Sequence, residues 1–198
     1  MFREMRRKRQ SLSREKCIEI LGQCTSGVLA LTGDDGYPYA VPLSYVCDEE
    51  SIIFHSAQAG HKIDAIQRNE KASFCVIAKD FVMPEEYTTY YRSVIVFGRI
   101  HILTDDIEKR DAIGKLAKRY APTDSAESRQ AAIEREWNQL CMLKMTMEHL
   151  SGKEAVELVR IREKNKQQFD RIKLNKSPPG DHNHCVEGLC YTTQVYFL

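Results

Sequence analysis

Ser51 to Ala78, SIIFHSAQAGHKIDAIQRNEKASFCVIA, is the stretch whose reading decides the fold. Ser51 to Phe54 is β-branched and aromatic, the composition of a strand on a packed, pleated surface. The run His55-Ser56-Ala57-Gln58-Ala59-Gly60-His61-Lys62 follows, with small residues and a glycine set among groups able to bond an anion. Ile63 and Ile66, with the stem of Lys62 or Gln67, recur at helical spacing, which predicts a short helix over Gly60 to Asn69. Asn69 can end it, and Lys71 to Ala78 is strand-like again. A strand edge with a hydroxyl, a lysine and newly exposed helix N–H groups suits a phosphate. The same residues also suit a polar connection with one cap and a solvated lysine.

Upstream, Asp48-Glu49-Glu50 turns the chain into this stretch. Before it, Tyr37 to Cys47, YPYAVPLSYVC, reads as a strand in which Pro38 and Pro42 cannot donate to a ladder. The prolines mark an edge, a bulge or a break, either where a bound molecule approaches backbone or where a strand bends at a barrel corner. Gly33-Asp34-Asp35-Gly36 is a reversal signal, and Ser26 to Thr32 a first strand. Ser13 is a good N-cap for a helix with Cys17, Ile18 and Leu21 on one face, ended by Gly22. Met1 to Gln10, MFREMRRKRQ, is basic and polar: an arm for a partner or an anion, or a frayed terminus, which is the default for such a segment.

Downstream, Lys79 to Thr89 loses its periodicity, with Met83-Pro84-Glu85-Glu86 as a loop. Tyr90 to Leu103 is the longest strand signal, with Gly98 as a bend or bulge. Thr104 or Asp105 caps a helix to Tyr120, and Pro122 breaks it. Ala126 to Trp137 is another helix, Leu140 to Met147 a final strand, and Gly152 to Glu163 a short helix. The pattern is about six strands with hairpin logic and peripheral helices, without continuous βαβ alternation. It predicts an antiparallel barrel or a strongly curled sheet. Residues 164–198 differ in composition and read as an extension wrapped on the surface or across a subunit boundary. There Asp181, His182, His184, Cys185 and Cys190 invite a metal reading, but the Cys185 to Cys190 spacing exceeds a usual knuckle and no second pair answers it. A tail whose Val195 to Leu198 cover an apolar patch is the simpler expectation, with no metal.

The 198 residues and 22.8 kDa predict one sizeable core. A net charge of +1 gives no global pull toward nucleic acid or acidic membrane, and no apolar run is long enough to cross a bilayer. The N-terminus lacks the apolar stretch and cleavage site of a signal peptide, so a cytoplasmic protein is expected. Seven cysteines are an odd number, and Cys17, Cys24, Cys47, Cys75 and Cys141, scattered through apolar segments, fit free thiols in a reducing compartment. Dinucleotide fingerprint, nucleotide phosphate loop, hydrolase elbow and zincin motif are all absent.

Tyr39-Ala40-Val41-Pro42-Leu43-Ser44-Tyr45, then Ile53-Phe54-His55-Ser56-Ala57 and Gly60-His61-Lys62-Ile63-Asp64-Ala65, resemble the nitroimidazole-resistance and pyridoxamine 5'-phosphate oxidase-like flavoproteins. The similarity reaches back to Arg6-Arg7-Lys8 and Gly27 to Ala30, and forward through Arg92 to Gly98 to Gly152-Lys153-Glu154-Ala155. The resemblance implies a mainly β (α+β) fold, an FMN-binding split β-barrel with peripheral helices. Its domain would span residues 1–163 with the N-terminal arm, and 164–198 would pack on the barrel or a partner subunit.

The resemblance further implies a homodimer with FMN at the subunit interface. His55, Ser56 and Lys62 would approach the phosphate, Pro42, Leu43, Ser44 and Tyr45 would run beside the isoalloxazine, and Ser93 would complete the site. Arg6 and Arg7 could reach a phosphate or the partner chain. The expected function is transfer from reduced FMN to a small electron-poor acceptor such as a nitro compound, with NAD(P)H as a possible donor and no protein nucleophile required. No clear arginine set for pyridoxal phosphate is present, which disfavours a vitamin B6 oxidase. The alternatives are a non-catalytic FMN-binding or electron-storage protein, and a haem- or deazaflavin-binding member of the same fold. A nucleic-acid role for the basic arm is disfavoured because the run is short and has no stacking platform.

Overall fold

The computed structural model describes residues 2–48 and 50–174. The chain divides into two units, Met1–Ile161 and Arg162–Leu198. The described part of the second, 162–174, is helical; the tail residues Asp181 to Leu198 discussed above lie outside the described residues.

Helix α1 (Arg14–Gln23) starts at Ser13, whose hydroxyl accepts the Lys16 N–H at 3.3 Å. Strands β1 (Ser26–Thr32) and β2 (Pro38–Ser44) form a hairpin, and β3 (Val46–Cys47) and β4 (Ser51–Ala57) a second one. Helix α2 (His61–Arg68) leads into the long hairpin of β5 (Lys71–Met83) and β6 (Thr88–Ile102). Two helices, α3 (Asp106–Tyr120) and α4 (Ala126–Glu136), precede β7 (Leu140–Glu154) and α5 (Val156–Leu174).

The expected barrel is not formed. Among the described residues seven strands run in the order β2-β1-β5-β6-β7-β4-β3, each pair antiparallel, and no ladder joins the two ends. Helices also claim about as many residues as strands, so the fold is not mainly β. The sequence supplies a reason for the open edge. Gly33 N–H donates to Tyr37 O at 2.8 Å, so Tyr39, Val41 and Leu43 fall in the hydrogen-bonded phase of the β1–β2 ladder. Pro38 and Pro42 therefore stand where an N–H would face away from β1, and the outer edge of β2 lacks those donors.

One residue, Tyr45, separates β2 from β3, although these strands lie at opposite ends of the sheet order. The sheet must curl until its ends approach, and Tyr45 stitches them. Its side chain is fully buried and its hydroxyl donates to Leu21 O at 2.6 Å. Phe74 meets the rings of Tyr45 and Phe54 edge-on, with centroids 4.9 and 5.0 Å apart, at the centre of the main core. A second cluster, Ile53, Leu103, Ala112, Leu116 and Met142, seats α3 on the opposite face of β4 and β7.

Three element boundaries differ from the expectation. The supposed loop after Ala78 is largely strand: β5 passes a register shift at Ile77/Lys79 and continues to Met83. Gly152 to Glu154 are strand rather than the start of a helix: residues 149–154 pair with Arg92 to Phe97, and Glu148 is the extra residue at the bulge. Gly152 sits under the N-terminal segment, where a β-carbon would strike Cys17 and Leu12. That segment is partly docked rather than frayed, since Leu12 N–H donates to Gly152 O at 3.0 Å and Gln10 is buried. Gly98 does mark a bulge, at the register shift between Phe97 and Gly98.

Candidate functional site

The residues singled out in the sequence fall into two groups. Cross-strand partners share a face, so one row runs outward across the sheet through Pro42, Val28, Cys75, Ile95 and Ser151. In an adjoining row Ile77 pairs with Ser93 and Ser93 with Lys153. Ser44, two residues from Pro42, faces the same way and is exposed. Ser44 and Ser93 stand three strands apart, about 14 Å at normal strand spacing, so they do not touch within one chain. Leu43 points to the core instead, and Tyr45 is inside it. Only the backbone of Tyr45 could meet a ligand.

The basic arm belongs beside this outward face. Met5, Arg6, Arg7 and Lys153 line a hollow of about 300 Å³, and Ser11 bridges to Lys153. The face is unusually apolar for one exposed to water: Val28 is 38% exposed and Ile77 65%.

The second group lies where α2 begins. Ser56 pairs with Cys141 across β4 and β7, on the core-facing side. Lys62 lies within electrostatic reach of Cys141 and is half-buried. Burial pushes the Lys62 ammonium down, while the Cys141 sulfur pulls it back up. Burial pushes the Cys141 thiol up against the opposing pull of Lys109 and Lys62. Among the described residues no carboxylate pairs with Lys62. At the head of α2, Gly60 has φ +121°, in the region that favours glycine, and no side chain caps the helix. An uncapped start leaves N–H groups for an outside acceptor.

His55 does not join this group. It pairs with Met142 and faces the opposite side of β4 from Ser56. His61 stacks on Tyr39 with centroids 4.1 Å apart, and its Nε2 lies 3.6 Å from Asp34 Oδ2. That contact places the head of α2 against β2, three residues before Pro42. Beyond it, Trp137 lies between Lys109 Nζ at 4.2 Å and Arg110 Cζ at 4.1 Å. The sequence reading gave no site role to Cys141, Lys109 or Lys153. Lys153 lies in the quoted Gly152 to Ala155 string but only strand register brings it to Ser93, as it brings Cys141 to Ser56.

Residues 13–154 match the family model described as pyridoxamine 5'-phosphate oxidase. The chain belongs to that family. Among solved structures it is similar to a candidate 5-nitroimidazole antibiotic resistance protein from Bacteroides thetaiotaomicron, at 22% identity and TM-score 0.61, covering 72% of this chain and 85% of that one. A FAD-binding protein from Mesorhizobium loti is similar at 24% identity and TM-score 0.53, covering 74% and 97%. The FAD and haem binding protein from Mycobacterium smegmatis is similar at 23% identity and TM-score 0.61, covering 74% and 73%. No curated protein matches the chain.

Proposed function

We propose that the chain binds a flavin, FMN in particular, and works as an oxidoreductase on small electron-poor acceptors such as nitro compounds. The observation that carries this reading is Lys62: a half-buried ammonium with no carboxylate partner among the described residues, beside Ser56 and an uncapped helix start. Burial of such a charge is unfavourable until an anion approaches, and a terminal phosphate meets it with charge-assisted hydrogen bonds. The family and the flavin-binding proteins of similar fold support the choice of flavin.

The outward row of Pro42, Val28, Cys75 and Ile95 offers a flat, largely apolar bed for a ring system, with Ser44 and Ser93 at its margin. A second copy of the chain, laid on Val28 and Ile77, would cover the opposite side of that ring and keep water from it. Arg6, Arg7 and Lys153 would then face the partner or an anionic group. Bound flavin supplies the electron or hydride transfer, with NAD(P)H as donor. The chain's own residues bind the phosphate, orient the ring and restrict access; no protein nucleophile is needed.

The test is the absorbance spectrum of the purified protein, cofactor release, and FMN titration of wild type and Lys62→Ala. We expect a yellow protein releasing FMN, with affinity reduced by about 10- to 100-fold in the variant, the worth of one charged hydrogen bond. A colourless protein without FMN affinity, or a haem spectrum, overturns the proposal.

A further inference from the structure

A cavity of about 510 Å³ opens between α3 and the β3–β4 hairpin. Its floor is apolar, from Val46, Cys47, Ile53 and Pro122, and its rim is basic, from Lys115, Lys118 and Arg119, with Asp48 at one corner. That volume is in the range of sites that enclose small organic molecules.

The charges around it do not balance. Lys115 is satisfied, with Asp111 Oδ2 at 2.7 Å and Asp48 Oδ2 at 3.9 Å. The Asp48 carboxylate is further occupied by the Ser51 N–H and hydroxyl, each at 2.8 Å. Arg119 is different. One terminal nitrogen donates to Cys24 O at 2.5 Å, but its Nε is buried with no hydrogen-bond partner. The titratable groups that feel its charge are the Cys24 and Cys47 thiols and the Tyr45 phenol, and burial raises all three. They stay neutral near pH 7, so none answers the guanidinium. Lys118, one residue away on the exposed side, has no carboxylate partner among the described residues either. A guanidinium beside an ammonium over an apolar floor, neither answered by a carboxylate among the described residues, is matched by an amphiphilic anion.

We infer that this cavity binds a small organic monoanion with an apolar body, such as a medium-chain carboxylate, its charge on Arg119 and Lys118 and its chain against Val46, Ile53 and Pro122. This site is independent of the flavin reading. It faces the α3 side of the β4 strand, whereas Ser56, Lys62 and Cys141 belong to the core-facing side.

The experiment is a calorimetric titration of the full chain with sodium octanoate, octan-1-ol and sodium acetate as probes. Octanoate is expected to bind with a dissociation constant of about 1 mM or tighter, and the alcohol and acetate at least about tenfold more weakly, since each lacks half of the match. Lys118→Glu, on an exposed helix surface, should weaken octanoate by about tenfold or more. Arg119→Lys keeps the charge but lacks the planar guanidinium fork, and should also weaken it while circular dichroism shows an intact fold. Lys62→Ala should leave octanoate unchanged. The inference is overturned by no octanoate binding, by octan-1-ol binding as well as octanoate, or by affinity indifferent to both α3 substitutions. Loss of octanoate binding in Lys62→Ala would also overturn it, by placing the ligand in the proposed flavin seat.

Discussion

The Tyr120 hydroxyl grips the backbone of Tyr45: its oxygen accepts the Tyr45 N–H at 3.0 Å and lies 3.0 Å from the Tyr45 carbonyl. It also donates to Thr25 O. The last residue of α3 thus holds the single residue that joins the two ends of the sheet. Tyr120→Phe keeps the ring and removes the grip. It should cost about 1–2 kcal/mol, the penalty for under-satisfied backbone groups, seen as a lower urea midpoint with an unchanged slope.

Gly98 and Gly22 should respond in opposite directions to alanine. At Gly98 a β-carbon would collide with the Thr146 carbonyl across the bulge, whereas at Gly22 it meets nothing within 4 Å. Backbone must move to admit Gly98→Ala, so a loss of about 1–3 kcal/mol is expected. Gly22→Ala, inside α1, should add about 0.5–1 kcal/mol. Paired thermal melts decide the matter; equal effects would contradict the close approach at the bulge.

Glu154 is 1% exposed and receives Arg92 Nε at 3.1 Å and Nη2 at 2.9 Å. Arg92→Met removes two charge-assisted hydrogen bonds from a buried carboxylate and should destabilise the fold by about 1.5–3 kcal/mol. The double variant Arg92→Met with Glu154→Leu should recover much of that loss. A double-mutant cycle in chemical denaturation measures the coupling.

Burial raises the Cys47 thiol to about 12 from 9.0, with Asp48 adding to the rise and Arg119 opposing it. Below pH 9 the thiol is neutral in both states and its contribution is intact. Between pH 9 and about 12 the unfolded chain loses the proton while the folded chain keeps it, so stability falls as pH rises. Cys47→Ser removes this titration and should flatten that part of the decline in a urea-midpoint series from pH 8 to 11. An unchanged profile would assign the decline to other groups.

The local elements were largely legible in the chain. Ser13 before an apolar face marks α1, Gly60 and Asn69 bracket α2, and Ser26 to Thr32 alternates as β1 does. The misreadings share a cause. Lys79 to Met83 and His149 to Glu154 have weak periodicity of their own and become strand because a neighbouring strand pairs with them. The same reason divides the candidate site. Ser56 and Lys62 were readable because they are close in sequence, while Cys141 and Lys153 reach their places only through register. His55, adjacent to Ser56, is sent to the opposite face by the two-residue period of the strand.

By itself, then, the amino-acid order determined most of the local helices and strands, the family to which 13–154 belong, and even the barren outer edge of β2, since proline lacks a donor wherever it stands. Only the tertiary structure decided that the sheet stays open, that Tyr45 turns into the core, and that a half-buried Arg119 lies beside neutral groups with no carboxylate partner among the described residues. Those outcomes depend on long-range pairing and on desolvation, which belong to pairs of distant residues and are written in neither residue alone.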